Sequence, residues 1–217
     1  MQDNESFLSF VAEFMEIKDK ILQGAEDLFF KYGIKNITMD EVARHLGMSK
    51  KTLYQYFKDK DELVHSLIIE KIEEDKIIFG KTHRDSENIV VEAFEIMKNI
   101  REIMGHVNPV LFYELAKFYP KTWNVFNEFK NGFIRENLEE SIKRGQELGL
   151  VRKDLNVKVA SRMRLENIDM SFNQEVFSTD KFNLVDIHVT MTELFLYGIC
   201  TLKGHKLINK YKNVTEE

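Results

Sequence analysis

The sequence predicts an all-α protein of about nine helices, a small N-terminal three-helix unit followed by a larger helical body. Three observations carry this. Apolar residues recur at helical spacing along the whole chain and nowhere alternate as in a half-buried strand. Both prolines of the chain, Pro109 and Pro120, stand where they would open a helix rather than interrupt one. Caps and glycine stops punctuate the apolar runs at intervals fit for helices.

Residues 1–14 are expected as an N-terminal extension, a partly ordered helix carrying Phe7, Leu8, Phe10, Val11 and Phe14. From about Glu16 to Tyr32, the residues Ile17, Ile21, Ala25, Leu28, Phe29 and Tyr32 form one buried stripe, and Gly33 ends the helix. The stretch Thr38 to Phe57 reads as two short helices. Thr38 caps the first, with Glu41 completing a capping box, and Met39, Val42, Ala43 and Leu46 mark its apolar face. Gly47 supplies the left-handed turn, and Ser49 caps a second helix that buries Leu53 and Phe57. This is helix-turn-helix spacing. Asp59 and Glu62 box the next helix, expected to reach about Phe79. These elements make up a unit of residues 15–75, and residues 76–217 make up the body.

In the body, Asp85 or Ser86 is expected to cap a helix reaching about Met104, and Pro109 to open one through about Phe118. Pro120 opens a longer helix ending near Gly145 to Gly149. Asn156 caps a helix from Val157 to about Gln174, and a last long helix runs from about Leu184 to Leu202 or beyond.

The second short helix shows what the N-terminal unit is for. Leu53 and Phe57 point one way, and Lys51, Thr52 and Gln55 the other, flanked by Tyr54 and Tyr56. Lys and Gln can read base edges in a major groove, while Tyr, Thr and Lys can hold phosphates. Thr38, Tyr54, Tyr56 and Lys60 are therefore expected on the DNA backbone, and Lys51, Thr52 and Gln55 on base edges. Lys50 is also assigned to DNA, although its direction lies nearer the packed side. An ordinary solvated helix face is the competing reading, and the ordered caps and glycine turn weigh against it. The net charge of −5 conceals a division: Lys31 to Lys60 carries +4, which leaves −9 for the rest. Attraction for phosphate is thus concentrated at one end.

Residues Lys18 to Val64, KDKILQGAEDLFFKYGIKNITMDEVARHLGMSKKTLYQYFKDKDELV, resemble the DNA-binding domain of TetR-type transcriptional regulators. The parts match in order: Phe29-x-x-Tyr32-Gly33, Thr38, Val42-Ala43, Gly47-Met48-Ser49, Leu53-Tyr54-x-Tyr56-Phe57 and Lys60-Asp61-Glu62-Leu63. The resemblance covers roughly the first third of the chain; beyond it only length and helical character agree.

For the body, that resemblance implies a pocket between the helices that would bind a small, partly apolar effector. Phe94, Met97, Met104, Phe112, Tyr113, Trp123, Phe126, Met163 and Asn167 are its candidate lining. At helical spacing, aromatic and Met stripes are otherwise simply core. By the same resemblance, the last two helices would pair with those of a second copy in a four-helix bundle, with Met191, Leu194, Phe195 and Ile199 at the interface. A homodimer of this kind suits a palindromic operator in double-stranded DNA. The resemblance further implies a repressor released from its operator by the effector.

Other classes find little support. The six histidines have no metal-ligand spacing, and there is no HExxH, GxSxG or glycine-rich phosphate loop. No catalytic residue, metal or cofactor is therefore expected. Lone Cys200 reads as a small buried hydrophobe in a reducing compartment, and no apolar run or leader points to a membrane. A cytoplasmic location is expected. The alternative reading is a helical ligand-sequestering or protein-interaction module that no longer reads DNA.

Overall fold

A computed structural model describes residues 2–214, with side chains from Ala12 onward. Packing of Phe7, Leu8, Phe10 and Val11, expected from sequence, lies outside the described side chains. Helix α1, Gln2–Tyr32, runs without a break through the expected boundary at residue 14. It is followed by α2 (Met39–His45), α3 (Lys50–Tyr56) and α4 (Lys60–Asp85). The body comprises α5 (Ile89–Met104), α6 (Val110–Phe118), α7 (Pro120–Phe129), α8 (Arg135–Glu147), α9 (Val157–Ser171), α10 (Leu184–Ile199) and α11 (Leu202–Lys212). Among the described residues there is no strand, only a single isolated bridge between Val151 and Cys200.

The N-terminal caps form as the sequence predicts. The Thr38 hydroxyl accepts the Glu41 N–H at 3.2 Å, and the Glu41 carboxylate accepts the Thr38 N–H at 2.6 Å. The hydrogen bonds that Thr38 gives this carboxylate hold it below the usual carboxylate range. Ser49 accepts the Thr52 N–H at 3.0 Å, and Asp59 that of Glu62 at 2.8 Å. Gly47 takes the left-handed φ of +66° between α2 and α3, a conformation that costs a side chain strain.

Several boundaries differ from expectation. Helix α4 continues to Asp85, six residues past Phe79, because Ile68 and Ile72 bury its N-terminal half while Gly80 and His83 bury its last turns in the body. Asn88, not Asp85 or Ser86, caps α5 by accepting the N–H groups of Val90 and Val91. Pro109 is the N-cap of α6 rather than its first residue. The last helix breaks at Cys200, the C-cap of α10, and Thr201 then caps α11. The rod from Pro120 to Glu147 is continuous, but Lys130–Ile134 winds as one π-helical turn. That turn carries Lys130 into the interior, where its ammonium pairs with Asp169 of α9.

Two cores result. The first joins α1–α4 to α6 and α7, with Phe29, Leu53, Phe57, Leu63 and Leu67 at its centre. The second lies among α5, α8, α9, α10 and α11, around Val90, Ile142, Leu196 and Ile208. Cys200 sits in this second core, and burial pushes its thiol up to about 11, so it stays protonated.

Candidate DNA interface and effector cavity

Helix α3 docks through Leu53 and Phe57, both essentially inaccessible, and so fixes which side faces out. Lys51, Tyr54 and Gln55 are exposed, and Thr52 and Tyr56 are half-buried. Some expected DNA groups are already engaged within the protein. The Thr38 hydroxyl donates to Glu41 at 2.8 Å, and that of Thr52 lies 2.8 Å from Ser49 Oγ. Lys50 pairs with Asp40 at 2.7 Å, and this hydrogen bond raises its pKa. Tyr56 stacks on Phe14 of α1 at 4.6 Å between ring centres. Lys60 departs most from expectation: its ammonium points inward, donating to Ile34 O at 2.5 Å and lying 5.8 Å from the Phe29 ring centre. Burial lowers its pKa. The residues best placed to enter a groove are thus Lys51, Tyr54 and Gln55.

Behind this unit lies a cavity of about 910 Å³. Phe30 of α1 and Ile68, Ile72 and Phe79 of α4 form one wall; Phe112, Trp123, Phe126, Phe129, Phe133 and Phe172 form the other. Of the residues expected there, Met104, Phe112, Trp123 and Phe126 line it. The others do not. Phe94 stacks on Tyr211 at 5.3 Å, and Met97 is buried away from the cavity. Tyr113 points outward under Lys117, Met163 is 62% exposed, and Asn167 is half-buried outside the lining. Period and composition could not separate these faces, because one helix turns aromatic groups both inward and outward.

Sequence reading missed the polar lining altogether. Arg164 of α9 and His188 of α10 are buried against the cavity, while Glu26, Asp27, Lys31, Lys71, Glu74 and Asp75 border it from α1 and α4. Desolvation lowers Arg164 to about 10, and desolvation with the Arg164 charge lowers His188 to about 4. The histidine is neutral at pH 7. Burial raises Asp75 to about 6.

The cavity adjoins the joint between the two parts. Glu114 of α6, itself buried, accepts the Lys35 N–H at 2.9 Å, and Asn108 N–H donates to Phe30 O at 2.6 Å. At Gly33, with φ +81°, a Cβ would approach Val110 to 2.9 Å, so the loop after α1 presses directly on α6. His65 of α4 lies 3.1 Å from Thr122 of α7.

Of the expected interface residues, Leu194 projects from α10 with 69% of its surface exposed, and Phe195 is half-buried. Met191 and Ile199 instead complete the monomer's own interior, at 8% and 5% exposure. Val159 and Met163 of α9 are exposed apolar residues on the neighbouring helix.

Among the described residues, no His, Cys, Asp or Glu cluster could hold a metal, and no helix is long and apolar enough to cross a membrane.

Comparison with known proteins bears on both parts. Residues 21–67 match the family of bacterial regulatory proteins of the tetR type. The fatty acid metabolism regulator protein of Bacillus subtilis is 24% identical over 189 residues, 83% of this chain and 94% of the relative. The crystal structure of the Bacillus subtilis regulator FadR, in complex with stearoyl-CoA, superposes with a TM-score of 0.61 at 22% identity. That match covers 83% of this chain and 98% of FadR. PfmR of Thermus thermophilus, a TetR-family regulator, gives 0.60 at 20% identity over 82% and 97% of the two chains. At such identities the structural likenesses establish the fold.

Proposed function

We propose that this chain, a DNA-binding transcriptional regulator with a TetR-family helix-turn-helix domain at residues 21–67, acts in the cytoplasm as a homodimeric repressor. A small, largely apolar effector entering the cavity releases it from a palindromic operator. One observation carries this reading: the same cavity is walled by α1 and α4 of the DNA-binding unit and by α6 and α7 of the body. An occupant therefore touches both sides of the joint made by Glu114, Asn108 and His65. A ligand shifts the equilibrium between two head spacings only by binding one better than the other, and a shared wall supplies that difference.

Lys51 and Gln55 of α3 read base edges, and Tyr54 holds a phosphate at the rim. Leu194, with Val159 and Met163 of α9, marks the face that meets a second copy. Two heads so joined make the second half-site contact intramolecular. The stearoyl-CoA bound by FadR supports an elongated acyl body for the effector here as well.

The test is selection of duplex DNA from a random pool, followed by binding at several salt concentrations. The expected result is a two-fold symmetric motif with half-sites about one helical turn apart and a steep salt dependence. Enrichment of no motif, or binding insensitive to salt, overturns the reading in favour of a ligand-sequestering module.

A further inference from the structure

The strongest feature outside the reading head is an unanswered positive charge. Arg164 is nine-tenths buried at the α9–α10 end of the cavity. Its Nη2 donates to the Thr192 hydroxyl at 2.7 Å, and Thr192 donates its own proton to the His188 carbonyl at 2.6 Å. Nη1 has no hydrogen-bond partner among the described residues. No carboxylate among them answers the guanidinium either. The one buried acid on the cavity wall, Glu92, is committed elsewhere: it accepts from Ser141 at 2.5 Å and Arg144 at 3.2 Å, and lies 3.0 Å from His83.

His188, beside it, is also unfinished. Ser171 donates its hydroxyl proton to Ile168 O at 2.6 Å, so it receives the His188 Nε2–H at 3.1 Å. That leaves Nδ1 as a buried lone pair without a donor among the described residues. A desolvated cation and an unfilled acceptor side by side are costly unless a partner answers them. A ligand carrying a carboxyl group removes both deficits when one proton is taken up with it.

We propose that the cavity takes an amphiphilic carboxylic acid, its carboxyl group seated between Arg164 and His188 and its apolar body along the Phe112–Trp123–Phe126 wall. Seating turns the Arg164 guanidinium and the His188 ring, whose Nη1 and Nδ1 are fully buried in this structure, toward the cavity; one carboxyl oxygen then accepts from Nη1, and the other shares with Nδ1 a proton taken up from solvent. The orientation is fixed by charge. On the α1–α4 side, four acids, Glu26, Asp27, Glu74 and Asp75, outnumber Lys31 and Lys71, and Lys71 is already paired with Glu26 and Glu74, so that side disfavours an anion. This deepens, and rests on, the assignment of the cavity as the effector site, and it specifies a free acid rather than a thioester.

The experiment titrates the full chain with dodecanoate, dodecan-1-ol and dodecylamine below their micellar concentrations. Fluorescence of Trp123, the single tryptophan, reports occupancy. Wild type should bind dodecanoate about tenfold or more tighter than the alcohol, and the amine weakest. Arg164→Met should bring the acid-to-alcohol ratio to about one, with a melting temperature at or above wild type, because a buried unpaired charge is gone. Arg164→Lys should retain part of the preference. Equal binding of acid and alcohol by wild type overturns the proposal and leaves the cavity assignment standing. So does a preference that survives in Arg164→Met. Failure of all three probes to bind overturns both. The three-probe comparison on wild type is decisive by itself if the Met variant does not fold.

Discussion

The Lys60 ammonium caps the carbonyl of Ile34 at 2.5 Å, tying the start of α4 to the loop that follows α1. A lysine in that position of the chain looks like a phosphate contact, yet here the charge is spent inside the domain. Lys60→Ala should therefore lower stability by about 1–2 kcal/mol, the worth of a hydrogen bond from a charged donor. Its effect on the salt slope of DNA binding should be well under a full unit. Urea denaturation and a salt titration on the selected operator check the two halves; a slope reduced by a full unit with unchanged stability contradicts them.

Gln55 is exposed at the centre of the outer face of α3. Gln55→Ala should relax base preference at one position in each half-site, at a cost of roughly 1–3 kcal/mol for the preferred base. Repeating the random-pool selection with the variant gives the answer. An unchanged motif removes Gln55 from the reading set.

Leu194 and Met191 lie on one helix and make opposite predictions. Leu194 is 69% exposed and Met191 only 8%. Leu194→Glu should leave the monomer folded, with a helical circular-dichroism spectrum like that of wild type, and shift sedimentation from dimer to monomer. Met191→Glu should instead unfold or aggregate the chain, since it buries a charge in the monomer's own core, at a cost of several kcal/mol. Were Leu194→Glu to sediment as a dimer, the interface lies elsewhere.

Asp75 gives the pH dependence. Its carboxyl is raised from 3.8 to about 6, first by desolvation and then by Glu74, against the attraction of Lys71. The folded state thus holds a proton that the unfolded state has lost. The stability it contributes is complete below about pH 4 and disappears as pH rises through about 6. Asp75→Asn should remove that slope and stabilise the protein at pH 7 by about 1–2 kcal/mol, allowing for partial exposure. Thermal melts of both proteins at pH 4 and pH 7 measure it, and an equal difference at the two pH values contradicts it.

Local signals made the N-terminal unit legible. The Thr38–Glu41 box, Gly47 and the Ser49 cap each act within four residues, so sequence order is already spatial order. The cavity was legible in kind but not in composition. Phe112, Trp123 and Phe126 reach it, whereas Phe94 covers Tyr211, a partner more than a hundred residues away in sequence. Arg164 and His188 escaped notice because each is ordinary in its own helix. Their significance arises only where α9 meets α10 and no acid among the described residues joins them. The π-helical turn at Lys130–Ile134 escaped for a similar reason: the Lys130–Asp169 pair that goes with it spans two helices.

Helix α4 has a mechanical consequence. Its 26 residues make a rod of about 39 Å that begins in the N-terminal unit and ends in the body. A tilt of about 5° about the body end carries the other end through about 3 Å, close to the ~3.4 Å step between stacked base pairs. On the proposed reading, a small angular change at the cavity wall would emerge at the far end as a displacement on the scale of one base pair.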